Sequence, residues 1–314
     1  MKSLMLFVVS MVLAAAAVAQ NPATPEAVQG AGVQRPGEMP DRRLLDGKPP
    51  QVTGESTDGG ALRVCADPNS LPQSNQLGQG YENKIAEALA HDLGKKVEYT
   101  YFPQRMGFVR NTLRSRDQQT LQYKCDLIIG VPKGYDVTAT TQPYMHSIYA
   151  LVFEPRGALK GLQSPEELLK LPPAKLHALH IGMFAQTPAS DWVLKNGLIG
   201  QAVMYAAQSG DPKETPDTIV ERDLAAGTID VAVVWGPVAG FIASRHTDKG
   251  WVALPFKPDP QIKFDYEISM GLRQGEKDWQ KTLDDWISAH HSEIKQILTA
   301  YHIPLVEESA TPQS

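Results

Sequence analysis

Few residues in this sequence have the types and the spacing that chemistry requires. Ser292-Glu293-Ile294-Lys295 matches the S-x-x-K pattern of a serine nucleophile with a lysine base, but it lies in an amphipathic C-terminal stretch without the companion motifs of such enzymes. The histidine pairs His177/His180 and His290/His291 have no carboxylate or cysteine set beside them at metal-ligand spacing. G-x-S-x-G, H-E-x-x-H, P-loop and dinucleotide-binding motifs are missing from the sequence. We therefore expect no metal site, no cofactor and no enzyme activity.

Length and composition narrow the class of protein. The 314 residues are 42% apolar and 21% charged, with 30 Lys+Arg against 35 Asp+Glu and a net charge of -5. This is enough chain for two globular domains. Because basic residues are not in excess, nucleic-acid binding is not expected. Two cysteines are too few for a disulfide-stapled module or a Cys-rich zinc site.

The N-terminus has the pattern of a secretory signal peptide. Lys2 precedes the apolar run 4–18, and Ala17-Val18-Ala19 forms an A-x-A cleavage site before Gln20. The run is shorter than the roughly twenty residues that span a bilayer as a helix. We therefore expect residues 1–19 to be removed, leaving a periplasmic protein without a membrane-spanning segment. Residues 20–60 are dense in Pro and Gly and are expected to form a disordered leader.

The rest of the chain alternates short apolar runs with amphipathic helices, which is typical of βα units around a buried, mainly parallel sheet. The predicted strands lie at 62–66, 97–101, 125–131, 179–184 and 229–235, with an extended segment at 264–272. The predicted helices lie at 82–93 and 108–113, begin at Ser164-Pro165, Thr187-Pro188 and Thr215-Pro216, and fill 278–302, where they return to cover the first lobe.

This pattern predicts an α/β fold of two doubly wound lobes. Lobe I comprises residues 61–147 and 270–308, lobe II comprises 148–269, and a tail covers 309–314. A two-strand hinge near 147–152 and 265–272 joins the lobes.

Four polar or Gly/Pro-rich loops follow predicted strands, at 67–75, 132–136, 185–190 and 236–237. Open α/β sheets bind ligands beyond the carboxyl ends of their strands, so facing lobes would bring all four loops to one cleft that closes around a guest. The residues that we expect to line this ligand or partner cleft are Asp67, Asn69, Leu71, Ser74, Val131, Pro132, Lys133, Tyr144, Phe184, Gln186, Thr187, Trp235 and Gly236.

Two arguments about Cys65 and Cys125 point in opposite directions. An exported protein encounters conditions in which thiols oxidise to disulfides. Parallel alignment of the first and third predicted strands, however, offsets the two cysteines by about three residues, or roughly 10 Å, whereas a disulfide reaches about 7 Å between Cα atoms. Sequence alone leaves both the disulfide and the free thiols open.

Several stretches of the sequence resemble a known fold over about residues 61–305. The resemblance is to type II periplasmic solute-binding proteins, the amino-acid receptors of ABC importers. The stretches that carry it are GYENKIAEALAHDLGKKVEY, CDLIIGV, TTQPY, LHIGMF, GTIDVAVVW and YEISMGLRQG. The longer stretches LRVCADPNSLPQSN, CDLIIGVPKGYDVTATTQPY and IDVAVVWGPVAGF look like the MxaJ/XoxJ group. Proteins of that group are periplasmic and accompany PQQ-dependent methanol and alcohol dehydrogenases. The resemblance therefore implies association with such a dehydrogenase.

The sequence departs from the amino-acid receptors at two positions. Those receptors hold the ligand carboxylate with an arginine after the third strand and the α-ammonium with an acid after the last strand of lobe II. Here the first loop offers only Lys133, and the second position reads Trp235-Gly236-Pro237. Breaking one buried charge pair costs roughly 2–5 kcal/mol, against about 8 kcal/mol for a whole micromolar site. We therefore expect no amino-acid ligand, and flat apolar walls from Trp235 and Tyr144 instead.

Three functions are compatible with these observations. The first is a non-enzymatic periplasmic accessory protein that serves a PQQ-dependent methanol or alcohol dehydrogenase as a maturation or activation partner. The second is an importer receptor that delivers a small organic solute, other than an α-amino acid, to an ABC permease. The third is a dehydratase-like enzyme on the same fold, for which Asp67, Asp136 and Glu267 are the candidate acids.

The signal-peptide interpretation makes a direct prediction. We expect the protein isolated from its own periplasm to begin at Gln20, because the A-x-A site lies immediately before it. Intact-mass spectrometry checks this, and a mass that includes Met1 would contradict cleavage.

Overall fold

The computed structural model describes residues 60–207, 211 and 214–306. The predicted signal peptide, the leader up to residue 59 and the tail at 309–314 lie outside these ranges. Inside them, no helix combines the length and the hydrophobicity needed to cross a membrane.

Short runs rich in apolar and β-branched residues form most strands of the described chain. They are β1 (Ala61–Ala66), β2 (Asn69–Ser70), β3 (Ser74–Asn75), β4 (Lys96–Tyr101), β5 (Leu127–Pro132), β6 (Ala139–Ile148), β7 (Ala150–Phe153), β8 (Ile181–Phe184), β9 (Ala202–Tyr205), β10 (Val231–Val234), β11 (Val252–Pro255) and β12 (Asp265–Leu272).

Several helices begin with proline in the first turn, where the backbone N–H has no partner within the helix. Pro188 and Pro216 are examples. The α-helices of the described chain are α1 (Tyr81–Asp92), α2 (Phe108–Asn111), α3 (Pro165–Leu168), α4 (Pro173–Leu176), α5 (Pro188–Lys195), α6 (Pro216–Ala226), α7 (Gly236–Arg245), α8 (Lys277–Ala289) and α9 (His291–Ala300).

The first sheet has the strand order β4-β1-β5-β12-β6. Strand β1 is parallel to β4 and β5, whereas β12 is antiparallel to β5 and β6. Helices α1, α8 and α9 bury their apolar faces in the core of this lobe, including Ile85, Leu89, Leu283 and Ile287. The C-terminal helices thus return to the first lobe, as the sequence predicts.

The second sheet has the order β11-β7-β10-β8-β9. Strands β10, β8 and β9 are parallel, and β7 is antiparallel to β10 and β11. Strand β10 is buried along its whole length, as expected for a central strand. Trp192 of α5 packs on this lobe with its ring 5.3 Å from that of Phe256.

Two adjacent segments connect the sheets. Tyr149 separates β6 from β7, and residues 256–264 separate β11 from β12. The Tyr149 N–H donates to the Phe264 carbonyl (3.0 Å), and the Phe256 N–H donates to the Tyr149 carbonyl (2.9 Å). The fold is therefore two-lobed with a two-strand connection. Because β12 pairs only within the first sheet, we infer a lobe boundary near 264/265 instead of 269/270.

Helix α7 begins at Gly236, where the sequence analysis places a loop at 236–237, and the sequence analysis assigns no element to the rest of this helix. A methyl group at Gly236 would overlap the Ile148 carbonyl oxygen, and one at Gly240 would overlap the His302 carbonyl oxygen. These glycines lie one helical turn apart and let α7 approach two backbone segments closely. Glycine lowers the helix propensity of a stretch, but both positions require it because a larger side chain would not fit against the neighbouring backbone.

Cys65 and Cys125 form a disulfide, with their Cα atoms 5.4 Å apart. The strand register is as supposed, since Cys65 pairs with Ile128, three residues beyond Cys125. The estimate of 10 Å is nevertheless wrong. Cys125 precedes the first residue of β5, so the chain there does not follow the straight path along the sheet that the estimate assumes.

The disulfide yields a stability prediction. It closes a loop across 60 residues, and the chain-entropy relation gives about 4 kcal/mol of stabilisation for such a loop. We expect a Cys65→Ser/Cys125→Ser variant to lose unfolding free energy of this order in urea titrations, as the wild type should in reductant. Two free thiols in the denatured, unreduced wild type would contradict the bond.

Candidate functional site

A pocket of about 240 Å³ lies where the carboxyl ends of the first sheet meet the connection to the second sheet. Open α/β sheets bind ligands at such an edge. We call it the cleft pocket, and its lining residues are Gln73, Tyr81, Glu82, Gln104, Gly130, Val131, Pro132, Met145, Tyr149, Trp235, Tyr266 and Ile268.

Glu82 is the one carboxylic acid among the described residues that line the cleft pocket. It lies in the first turn of α1 with 7% of its surface exposed. Its carboxylate accepts no hydrogen bond and forms no ion pair within the described part of the chain. Burial, and to a smaller extent the neighbouring carboxylate of Asp67, raise the pKa of Glu82 from 4.5 to about 8. Glu82 is therefore mostly protonated at neutral pH.

Gly130 at the end of the first sheet makes room for this carboxylate. A methyl group at Gly130 would overlap Glu82 Oε1 and would lie 3.5 Å from the Tyr144 hydroxyl. Tyr144 is buried, and its hydroxyl has no hydrogen-bond partner among the described residues. Burial raises the pKa of Tyr144 well above 10, so the hydroxyl keeps its proton. The Glu82 carboxylate and the unpartnered Tyr144 hydroxyl thus both lie next to Gly130, and a buried polar group without a partner in a native structure calls for an explanation.

Three aromatic rings in mutual contact form a wall of the cleft pocket. The ring centroid of Trp235 lies 5.6 Å from that of Tyr149 and 5.7 Å from that of Tyr266, with interplanar angles of 61° and 80°. Edge-to-face contacts of this kind stabilise aromatic clusters. Trp235 follows β10, Tyr149 lies between the lobes and Tyr266 is in β12. The chain crossings therefore fix the position of this wall.

The residues predicted to line one cleft are divided among several pockets in the structure. The cleft pocket includes Val131, Pro132 and Trp235. A second pocket of about 160 Å³ lies between loops of the two sheets, and its lining includes Asp67, Asn69 and Phe184. Tyr144 lines a third, on the side of α8 and α9, and its hydroxyl lies close to Gly130.

Asp67 and Ser74 shape the loop after β1. Asp67 Oδ1 accepts a hydrogen bond from the Asn69 N–H at 2.8 Å, and Oδ2 accepts one from the Gln104 N–H. The buried Ser74 hydroxyl donates to the Asp67 carbonyl oxygen at 3.0 Å. These bonds hold the loop against the segment that follows β4.

Seven predicted residues line neither the cleft pocket nor the second pocket, namely Leu71, Ser74, Lys133, Tyr144, Gln186, Thr187 and Gly236. Lys133 Nζ lies 3.0 Å from Glu267 Oε2, so it does not replace the missing arginine. The Thr187 hydroxyl donates to the Phe184 carbonyl (2.8 Å), and Gln186 is exposed. Gly236 packs against Ile148.

The sequence analysis misses Glu82, although a signal for it was present. Glu82, Ile85 and Leu89 lie at i, i+3 and i+7 of α1, so they share one face of the helix. Ile85 and Leu89 are fully buried. An acid aligned with an apolar stripe is a sign of a buried carboxylate. Tyr149 and Tyr266 are missed because they fall in segments assigned only to the hinge.

The charged anchors of an amino-acid site are missing from the described lining of the cleft pocket. Neither Arg, Lys nor His belongs to that lining, where Glu82 is the only residue of an ionisable acid or base type apart from the tyrosines. Within the described ranges, no group of three or more His, Cys, Asp or Glu side chains could hold a metal ion. The pocket therefore combines one acid with aromatic and apolar walls.

Known proteins share this architecture. No protein-family model matches the sequence. The chain is 35% identical to the periplasmic binding protein XoxJ from Methylobacterium extorquens AM1, over 79% of this chain and 100% of that one, with a TM-score of 0.61. The structure of MxaJ from Methlophaga aminisulfidivorans MPT gives 22% identity, 78% and 100% coverage and a TM-score of 0.60. Protein MoxJ of Paracoccus denitrificans is 24% identical over 79% of this chain and 90% of its own length.

Two α/β sheets joined by two adjacent chain crossings, with a pocket at the crossing, define a two-lobed type II periplasmic binding protein. Amino-acid receptors share this architecture, but the charged anchors of their ligand site are not among the residues that line the cleft pocket. Within the class, the identity to XoxJ over that protein's full length shows that the chain belongs to the XoxJ/MxaJ family of periplasmic binding proteins.

The buried acid predicts how stability depends on pH. The pKa of Glu82 is raised on folding, so the folded protein binds the proton more tightly than the unfolded chain does. This contribution is fully present below about pH 4.5 and is lost as the pH rises toward about 8, at roughly 1.4 kcal/mol per pKa unit. We expect Glu82→Gln to remove this part of the slope.

Urea unfolding of the wild type and of Glu82→Gln at pH 5, 7 and 9 measures the difference. Glu87→Gln, on the exposed side of the same helix, is the matched control and should keep the wild-type slope. Parallel curves for the wild type and Glu82→Gln would show that Glu82 ionises as it does in water.

Proposed function

We propose that this protein is a periplasmic accessory protein of a PQQ-dependent methanol or alcohol dehydrogenase, which it serves in maturation or activation without catalysing a reaction. The observation that carries the proposal is the 35% identity to XoxJ over that protein's whole length. The long ungapped stretches described in the sequence analysis support the same family role.

The chemistry of the cleft argues against an importer receptor for amino acids. The loop after β5 offers Val131 and Pro132 to the pocket, and Trp235 occupies the position after β10. Lys133 is paired with Glu267. With neither charged anchor at its expected position, the free energy of binding left for an α-amino acid is small.

The cleft also argues against a dehydratase. Of the candidate acids, Asp67 is bound to backbone N–H groups and Glu267 to Lys133. Asp136 is exposed and lies outside the cleft pocket. Glu82 lies in the pocket, but the described lining has no cation that could hold an acidic substrate. An acid without an anion-binding partner does not make the site that such chemistry needs.

Periplasmic residence is part of the proposal. XoxJ is named as a periplasmic binding protein, and the sequence predicts a cleaved signal peptide. The Cys65–Cys125 disulfide suits an oxidising compartment.

The experiment deletes the gene in its native host and measures PQQ-dependent dehydrogenase activity per dehydrogenase polypeptide in the periplasm. We expect this activity to fall in the deletion strain and to be restored by the wild-type gene. The matched control is a gene without codons 2–19, whose product should stay in the cytoplasm and fail to restore activity. Unchanged dehydrogenase activity together with loss of uptake of an organic solute would favour the importer receptor.

A further inference from the structure

The cleft pocket has the electrostatic character of a cation site. Glu82 is its buried carboxylic acid, and neither Lys, Arg nor His is among the described residues that line it. A buried carboxylate without a partner is costly, because it has left water and gained no compensating charge. A positively charged guest would supply that charge. Lys263 lies 5.6 Å from the Tyr266 ring centroid, but it is exposed and does not line the pocket.

The aromatic wall fits the same kind of guest. Trp235 meets Tyr149 and Tyr266 edge to face, so the three rings present surfaces at different angles to the pocket. Aromatic faces attract organic cations through the ring quadrupole, most strongly when the cation leaves water. Met145 and Ile268 add apolar surface for an alkyl group.

The pocket also limits the size and the charge pattern of the guest. A volume of about 240 Å³ corresponds to roughly eight water volumes of about 30 Å³ each, so it admits a molecule of about that many non-hydrogen atoms. A zwitterionic amino acid needs an anion anchor as well, and the described lining has none.

We propose that the cleft pocket binds a small organic ammonium cation without a carboxylate group, with Glu82 as its counter-ion and Tyr149, Trp235 and Tyr266 as its aromatic wall. Gly130 keeps the space for the Glu82 carboxylate, since a methyl group there would overlap Oε1. The proposal stands apart from the dehydrogenase partner, because an accessory protein needs no ligand in its cleft.

Three probes of similar size test the charge preference on the intact wild-type protein. Isothermal titration calorimetry at pH 9 compares n-butylammonium, n-butanol and butyrate, which have unbranched chains of four carbon atoms in all and differ in charge. We expect n-butylammonium to bind at least tenfold more tightly than n-butanol, and butyrate to bind more weakly than both. Equal binding of the cation and the alcohol, tighter binding of butyrate, or no detectable binding of n-butylammonium at 10 mM would overturn the proposal.

Two variants test whether Glu82 causes the tighter binding of n-butylammonium. We expect Glu82→Gln to weaken n-butylammonium binding at least tenfold and to leave n-butanol binding unchanged. Glu87→Gln, on the exposed side of α1, should bind the cation as the wild type does. Unchanged n-butylammonium binding by a folded Glu82→Gln variant would refute the role of Glu82.

The pH dependence gives a readout that a purely structural role would not produce. The ionisable groups that interact with Glu82 are Asp67 after β1, Tyr81 in α1, Tyr99 in β4 and Tyr144 in β6. The pKa values of the tyrosines are raised, so they remain neutral throughout. Because the pKa of Glu82 is about 8, affinity for n-butylammonium should fall about 100-fold from pH 9 to pH 6. Glu82→Gln should lose this dependence, and a wild-type affinity that is constant between these pH values would refute the counter-ion.

Discussion

The first lobe depends on a strand that reaches it only after the chain has built the second lobe. Strand β12 inserts between β5 and β6, with Ile268 opposite both Pro132 and Met145. Until β12 arrives, β5 and β6 lack the backbone partner that joins them into one sheet. Its insertion brings the two crossings side by side, where Tyr149 exchanges backbone hydrogen bonds with Phe256 and Phe264. The cleft pocket lies at this crossing, so its geometry follows from the same pairing.

The chemistry of the pocket rests on a group that destabilises the folded protein when it ionises. Glu82 sits on the apolar face of α1, and its ionised form has no partner in the described structure. Core packing alone would favour an apolar residue there, since a buried unpaired acid costs free energy. Groups with strongly shifted pKa values are concentrated at functional sites. The neighbouring glycine and the unpartnered Tyr144 hydroxyl reinforce this interpretation, because both belong to the same small region.

The sequence predicts the central strands of the first sheet and the edge strand β4, and it misses three of the other edge strands. The strands that it misses in the two large sheets are β6, β9 and β11, which lie at sheet edges, and it places β2 and β3 in a loop. Edge strands are half-exposed, so their hydrophobic pattern is weak, and they tolerate residues such as Pro143 that central strands exclude. Helix α7 is missed for another reason. Gly236 and Gly240 lower the helix propensity of this stretch, and their close approach to Ile148 and His302 explains their presence.

Local periodicity and residue identity are enough to assign the α/β class, the two lobes, the family resemblance and the missing arginine and acid. Features that depend on contact between segments far apart in sequence follow only from the folded arrangement. Cys65 and Cys125 come within bonding distance because the chain bends before β5. Glu82 became a pocket residue because α1 packs against Gly130. The spacing of residues along the chain does not predict these two contacts, because side chains far apart in sequence are brought together only by strand order and helix packing.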